Sequence, residues 1–369
     1  MSAAPTDGRL FLDANAGERP RPEAAAALLA ALALPGNPAS VHAEGRAARK
    51  LLEEARATVA RAAGAEPSGV VFTSGATEAN ALALSGLGRA AGRRLLVSEA
   101  EHDSLDAPDA QRLKVGSDGR FDLDALAAAL RQGPALLATH LAQNETGVLQ
   151  DIPAILALVR AHGALLHLDA AQAPWRVGFD LTSLGADSLT LSAHKAGGPK
   201  GAGALVLARG IDLPPAPNGG GQERRRRPGT EALPAIAGFA AALAAATPDV
   251  GRGEIRDAIA AGARTLYPGC VVVGEAAPRL PNTLCLALPG AAAETQVAAL
   301  DLAGIAVSAG SACSSGKVGA SRALASMGLG ALAGQAIRIS VAWDTPADAA
   351  GRFLAAWQVM ADRLLRKAA

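Results

Sequence analysis

Leu191-Ser192-Ala193-His194-Lys195-Ala196-Gly197-Gly198-Pro199-Lys200-Gly201 sets a lysine at the end of an apolar run, just before a glycine-rich turn. Upstream, Leu168-Asp169-Ala170-Ala171-Gln172 ends a second apolar run on an aspartate. A strand-end Asp followed by a strand-end Lys suits pyridoxal 5'-phosphate (PLP). Lys195 would form the Schiff base, and Asp169 would keep the pyridinium nitrogen protonated, so that the ring could draw electrons from a substrate carbanion. Gln172, three residues on, is placed to donate to the ring's phenolic oxygen. A lysine after a strand is more often a solvated surface residue, so this reading depends on what else lies at the ends of apolar runs.

On both sides of this stretch, short apolar runs alternate with Ala/Leu-rich segments. Strands are expected over 70–72, 95–97, 136–139, 165–168, 188–191 and 204–207, with helices such as 47–63 and 123–130 between them. This alternation predicts an α/β fold with a mainly parallel sheet and helices on both faces. Ligands on such sheets bind beyond the carboxyl ends of the strands. Residues 73–77, His102, Asn144, Asp169, His194 and Lys195 all fall there. A Pro/Gly-rich break at 210–229 precedes a helical run at 232–246 and a second break at 247–253. The pattern then changes to strands at 271–273, 282–288 and 337–341 among helices, which reads as a smaller α+β domain.

The bulk composition narrows the function classes. A chain of 369 residues is long for one core, so one large and one smaller domain are expected. Half of the residues are hydrophobic but only 3% are aromatic, so small aliphatic side chains must build the core. A net charge of +1 gives no general drive toward nucleic acid or membrane. The run Arg224-Arg225-Arg226-Arg227 is a local exception; beside Gly219-Gly220-Gly221 it could lie near an anion. Three cysteines with no close pair argue against a disulfide framework, and the absence of CxxC and HExxH argues against a dedicated metal site. No signal-like start and no apolar run of membrane-spanning length is present, which predicts a soluble cytoplasmic protein.

Further candidates come from local chemistry. Val70-Val71-Phe72-Thr73-Ser74-Gly75-Ala76-Thr77-Glu78 reads as strand, tight turn and helix start. The free N–H groups around Gly75, Ala76 and Thr77, with the Thr77 hydroxyl, favour a phosphate. Gly86-Leu87-Gly88 does not have dinucleotide-fingerprint spacing. His102 could stack on a PLP ring and shuttle protons near neutrality. Cys313, in Ser308-Ala309-Gly310-Ser311-Ala312-Cys313-Ser314-Ser315-Gly316, sits among small flexible residues that suit a mobile nucleophile, whereas Cys270 and Cys285 lie in apolar strand patterns and read as core. Arg338 is a charge inside an apolar strand; it needs a partner, and a substrate carboxylate would fit it bidentately.

Taken together, these blocks resemble the cysteine desulfurases of the NifS/IscS type, within the class-V aminotransferase family of fold-type-I PLP enzymes. The resemblance runs from about Leu12 to the last helix. It is carried by residues 72–78, Asn144-Glu145-Thr146-Gly147, Asp169-Ala170-Ala171-Gln172, Ser192-Ala193-His194-Lys195, Gly219-Gly220-Gly221-Gln222-Glu223, Pro228-Gly229-Thr230-Glu231 and residues 308–314. It implies a large domain over 14–248 with a mainly parallel seven-stranded sheet sandwiched by helices. Residues 1–13 and 249–369 would form a small domain carrying the Cys313 loop. It also implies that His102 stacks on the ring while Thr77, Ser192 and His194 bind the phosphate. Thr230 would reach the phosphate of the neighbouring subunit in a homodimer, Asn144 and Arg338 would hold the substrate carboxylate, and Cys313 would take the sulfur. The loop around Cys313 looks like that of the long-loop group.

The activity so implied is conversion of L-cysteine to L-alanine, with sulfur left as a Cys313 persulfide for an iron–sulfur scaffold or a thiolation acceptor. Other readings share many of these residues: a class-V aminotransferase, which would not need Cys313, a selenocysteine lyase, or a catalytically silent partner subunit. Three departures from the family pattern stand out. Asn15-Ala16 is followed by Gly17-Glu18 rather than two threonines, and Arg225 replaces a usual glycine. The chain stops at Lys367-Ala368-Ala369, where housekeeping members carry a tail that helps dock the scaffold, so the acceptor stays open.

Overall fold

The computed structural model describes residues 8–247, 251–310 and 320–368. Strand β1 (Leu10–Phe11) leads through helices α1 (Pro22–Leu32) and α2 (Ala43–Ala62) to β2 (Val70–Thr73) and α3 (Ala76–Ala83). There follow β3 (Arg94–Ser98), β4 (Gln111–Leu113), α4 (Leu123–Leu130), β5 (Ala135–His140), α5 (Ile152–Ala161), β6 (Leu165–Asp169), α6 (Leu181–Leu184), β7 (Ser188–Ser192), β8 (Gly203–Leu207) and α7 (Leu233–Ala245). The helices form where apolar spacing and caps agree. In α2, Leu52, Ala55 and Val59 turn one stripe inward. Asp122 and Asp151 cap α4 and α5 through the backbone N–H groups of Ala125 and Ala154.

Strands β2 to β8 make one seven-stranded sheet in the order β2-β8-β7-β6-β5-β3-β4. The pairs β3–β4, β3–β5, β5–β6 and β6–β7 are parallel, while β8 runs against both β7 and β2. Alternation sends Phe72, Leu96 and Leu137 into one apolar layer and Val71, Val97 and Leu136 into the layer on the opposite face. This is the expected sheet, covered on both faces. The six strands read from the sequence all form, each extended by one or two residues. β4 was not expected: Gln111-Arg112-Leu113 is an edge strand with one buried side chain, so it shows no apolar run.

Residues beyond α7 build α8 (Arg252–Leu266), β9 (Val271–Val272), β10 (Thr283–Ala287), α9 (Ala293–Leu302), β11 (Ile305–Ala306), β12 (Ser308–Ala309), α10 (Arg322–Ser326), β13 (Ala336–Ser340) and α11 (Ala349–Ala368). A four-stranded antiparallel sheet has the order β12-β13-β10-β9, and β1 pairs in parallel with β11. Leu10 and Leu12 thereby join Phe353 and Trp357 in a separate apolar cluster. The two-residue strands β1, β11 and β12 are too short to carry a readable period. No helix among the described residues is long and apolar enough to cross a membrane.

Candidate active site

Strands β2, β3, β5, β6 and β7 point the same way, so Thr73, Ser98, His140, Asp169 and Ser192 end along one edge of the sheet. Beyond that edge lies a cleft of about 700 Å³. Its lining brings together Gly75, Ala76, Thr77, His102, Asn144, Asp169, Gln172, Ser192, His194, Lys195 and Arg338. Thr230 is exposed and lies off this cleft, and Cys313 lies outside the described residues.

Close backbone approach shapes the cleft's floor. A Cβ on Gly203 would come within 2.7 Å of Gly75 backbone atoms, so β8 must carry glycine for the turn after β2 to fit. That turn opens α3, and Ser74 N–H donates to Glu78 Oε2 at 2.6 Å. Glu78 also pairs with Arg227 at 2.8 Å, and these partners outweigh burial and hold its carboxyl below the ordinary range. Across the turn, the Ser192 hydroxyl and His194 Nδ1 are 3.1 Å apart. Burial first, then Lys195 and Lys200, push the His194 imidazole down to about 4. A neutral His194 can donate one N–H to an anion without adding charge.

Asp169 is held on two sides. Its Oδ1 accepts from Ala171 N–H at 2.9 Å, and its Oδ2 accepts from the Asn80 amide at 2.7 Å. Asn80 also donates to the Ser104 hydroxyl at 2.8 Å, and its Oδ1 lies 3.0 Å from His167 Nε2. The His167 ring is fully buried, and burial pushes its pKa down. With neutral His167 donating from Nε2, every polar atom of Asn80's amide has a partner. Ser104 in turn lies 2.9 Å from His102 Nδ1, so one chain of contacts ties Asp169 to His102. Burial and the nearby Lys195 lower the His102 pKa, against the pull of Asp169. Buried Glu101 anchors the same turn by accepting from Ser98, Thr139 and the backbone and ring of His140 at 2.7–3.0 Å.

Gln172 donates to the Asn15 carbonyl at 3.0 Å, yet its buried Oε1 has no hydrogen-bond partner among the described residues. Arg338, on β13, reaches the same cleft. The expected partner is already supplied in part, because its Nη2 donates to Asp13 at 2.7 Å and its Nη1 to the Asn144 carbonyl at 3.3 Å. Its buried Nε has no partner among the described residues. Cys270 and Cys285 are buried, as expected, and burial raises both thiols. Asn80, Ser104 and His140 were not singled out from sequence, and Asn15 was noted only as a landmark of the family pattern. Asn80 carried a faint signal, as a polar residue on the helix face shared by Ala79 and Ala83.

The aminotransferase class-V model matches residues 11–352. A protein named cysteine desulfurase from Cereibacter sphaeroides is 40% identical, over 92% of this chain and 92% of that protein. The chain belongs to the class-V aminotransferase family, in its cysteine desulfurase branch. A putative cysteine desulfurase IscS 1 from Bacillus subtilis is 37% identical over 79% of this chain and 82% of its own length. The X-ray structure of a NifS-like protein from Rickettsia africae superposes with a TM-score of 0.88 at 31% identity, covering 96% of this chain and 99% of that one. A structure described as SspA in complex with cysteine gives a TM-score of 0.79 at 28% identity, over 90% and 98% of the two chains.

Proposed function

We propose that this enzyme desulfurates L-cysteine with the help of PLP, leaving L-alanine and a persulfide on Cys313. The observation that carries the reading is the convergence of Lys195, Asp169, His102, Gln172 and Arg338 on one cleft. The donor set fits PLP. A lysine amine and an aspartate carboxylate line the same cleft, a helix start and a Ser/His pair offer anion donors, and the buried Oε1 of Gln172 has no partner among the described residues. When bound, PLP supplies an electron sink for the substrate's α-carbon.

The chain's own residues do the rest. Lys195 anchors the cofactor and moves the proton at the substrate α-carbon. Asp169, held in place by Asn80 and Ala171, stabilises positive charge at the ring nitrogen. Gly75, Ala76, Thr77, Ser192 and His194 hold the phosphate, and His102 covers the ring. Arg338 and Asn144 orient the substrate carboxylate. The Cys313 thiolate attacks the substrate sulfur; the S–S bond forms as the carbon–sulfur bond breaks, and the β-carbon gains a proton to give alanine. Residues 14–248 form the large domain of this reading, and residues 1–13 with 249–369 form the small one. The enzyme works as a homodimer in the cytoplasm and passes sulfur to an iron–sulfur scaffold or a thiolation acceptor.

The test is mass spectrometry after brief exposure of the holoenzyme to L-cysteine. One added sulfur is expected on Cys313, and Cys313→Ser should bind L-cysteine but release little alanine. An added sulfur on Cys270 or Cys285 instead would overturn the mechanism.

A further inference from the structure

Glu18 and Arg176 form an ion pair at 2.9 Å with both side chains 0% exposed. Each partner grips a different wall of the cleft. Arg176 Nη1 donates to the Gln172 carbonyl at 3.1 Å. Glu18 N–H donates to the carbonyl of His194, next to Lys195, at 2.7 Å. Glu18 Oε2 also accepts from Trp343 N–H at 3.4 Å, just beyond β13. Between Gln172 and Arg176 the chain passes through Trp175, which is buried at φ 58° with the Arg176 guanidinium 4.7 Å from its ring centre. A bulky side chain in the left-handed region persists only where its surroundings impose it.

Stability does not explain the pair. Burial pushes the Glu18 carboxyl up to about 7 despite Arg176, and a salt bridge this far from water rarely outperforms apolar side chains of the same size. We propose that Glu18–Arg176 is a positioning pair, holding the Gln172 wall and the Lys195 segment at a fixed spacing through the strained Trp175 turn. Neither residue lines the cleft, so the pair acts through Gln172 and Lys195. The inference rests on the roles given to those two residues above.

The test compares wild type with Glu18→Met/Arg176→Met and with Glu18→Gln. In cofactor-free protein, hydrogen exchange is read at Arg176 and Val177, whose amides both donate to the Ala173 carbonyl. In holoenzyme, kcat and KM for L-cysteine are read separately. The methionine pair should keep or raise the unfolding midpoint and exchange faster at 176–177. It should lose roughly ten-fold or more in kcat, because small misplacements of reacting groups are costly. KM should change little, since Arg338 is untouched. Arg176→Lys, which keeps the charge, should recover part of kcat. Should the methionine pair fail to fold, Glu18→Gln carries the same expectations for exchange and kcat, with a lower unfolding midpoint because it leaves the buried Arg176 charge unpaired. Exchange and kcat both within about two-fold of wild type would overturn the proposal. A wild type that binds no PLP would instead sink the functional reading, while the exchange comparison would still judge the positioning role.

Discussion

At Lys195 one side chain is asked to anchor the cofactor and move a proton, so its loss should be complete. Lys195→Ala is expected to fold, to bind PLP weakly and to give no turnover. A borohydride-reducible adduct in that variant would contradict the assignment. Asp169→Ala should fold and still form such an adduct, because Lys195 is intact, but lose about 3 kcal/mol of transition-state stabilisation, a hundred-fold or more in kcat. Near-normal turnover would show that its carboxylate does not serve the ring nitrogen. The places of Lys195, Asp169, His102 and Arg338 along the cleft were legible in the sequence because each is a chemically committed residue inside, at the end of, or shortly after an apolar run. Asn80 was not. It fixes Asp169 by a 2.7 Å hydrogen bond, but in the sequence it is one polar residue in a helix of alanines, and only the sheet's register reveals its partner.

Elements place these residues by their ends, and the turn after β7 shows the electrostatic consequence. His194 sits there half-buried, and burial first, then the charges of Lys195 and Lys200, push its pKa from 6.5 down to about 4. The unfolded chain therefore binds the proton more readily than the folded one between these values. Stability contributed by neutral His194 is present above about pH 6.5 and is lost as pH falls through about 4. Glu18 has the opposite sign, since its raised pKa favours the folded state at the acid end of the range. The useful measurement is thus a difference: urea midpoints of cofactor-free wild type and His194→Gln across this range. Wild type should lose more stability than the variant on acidification, and equal slopes would show that the turn does not hold His194 neutral. The same scale explains what the sequence concealed. Long buried strands such as β5 announce themselves, whereas β4 pairs along a polar edge, and the two-residue strands β1 and β12 exist only through partners distant in sequence.

For the whole molecule, the question is whether Gly219–Glu231 serves a second copy of this chain. Glu223 is buried, accepting from both terminal nitrogens of Arg56 at 2.8 Å, and this anchor carries Glu223, Arg224 and Arg225 through three consecutive left-handed conformations. Arg225, at φ 69°, keeps the backbone shape that glycine would adopt with ease, so the departure at this position alters the side chain rather than the turn. The segment then delivers Thr230 to the surface, away from its own cleft. A threonine exposed at this point is free to meet a neighbouring subunit. If Thr230 completes the partner's phosphate site, each active site draws Lys195 from one chain and Thr230 from the other. Lys195→Ala and Thr230→Ala homodimers should then both be impaired, the second mainly through weaker PLP binding. Unfolding and refolding them together should produce mixed dimers with one site carrying both defects and one site carrying none. Activity at limiting PLP should rise above that of either parent, toward half of wild type per mixed dimer. If Thr230 serves its own chain, both sites of the mixed dimer stay defective and mixing recovers nothing. Active monomers in sedimentation would exclude the shared site altogether.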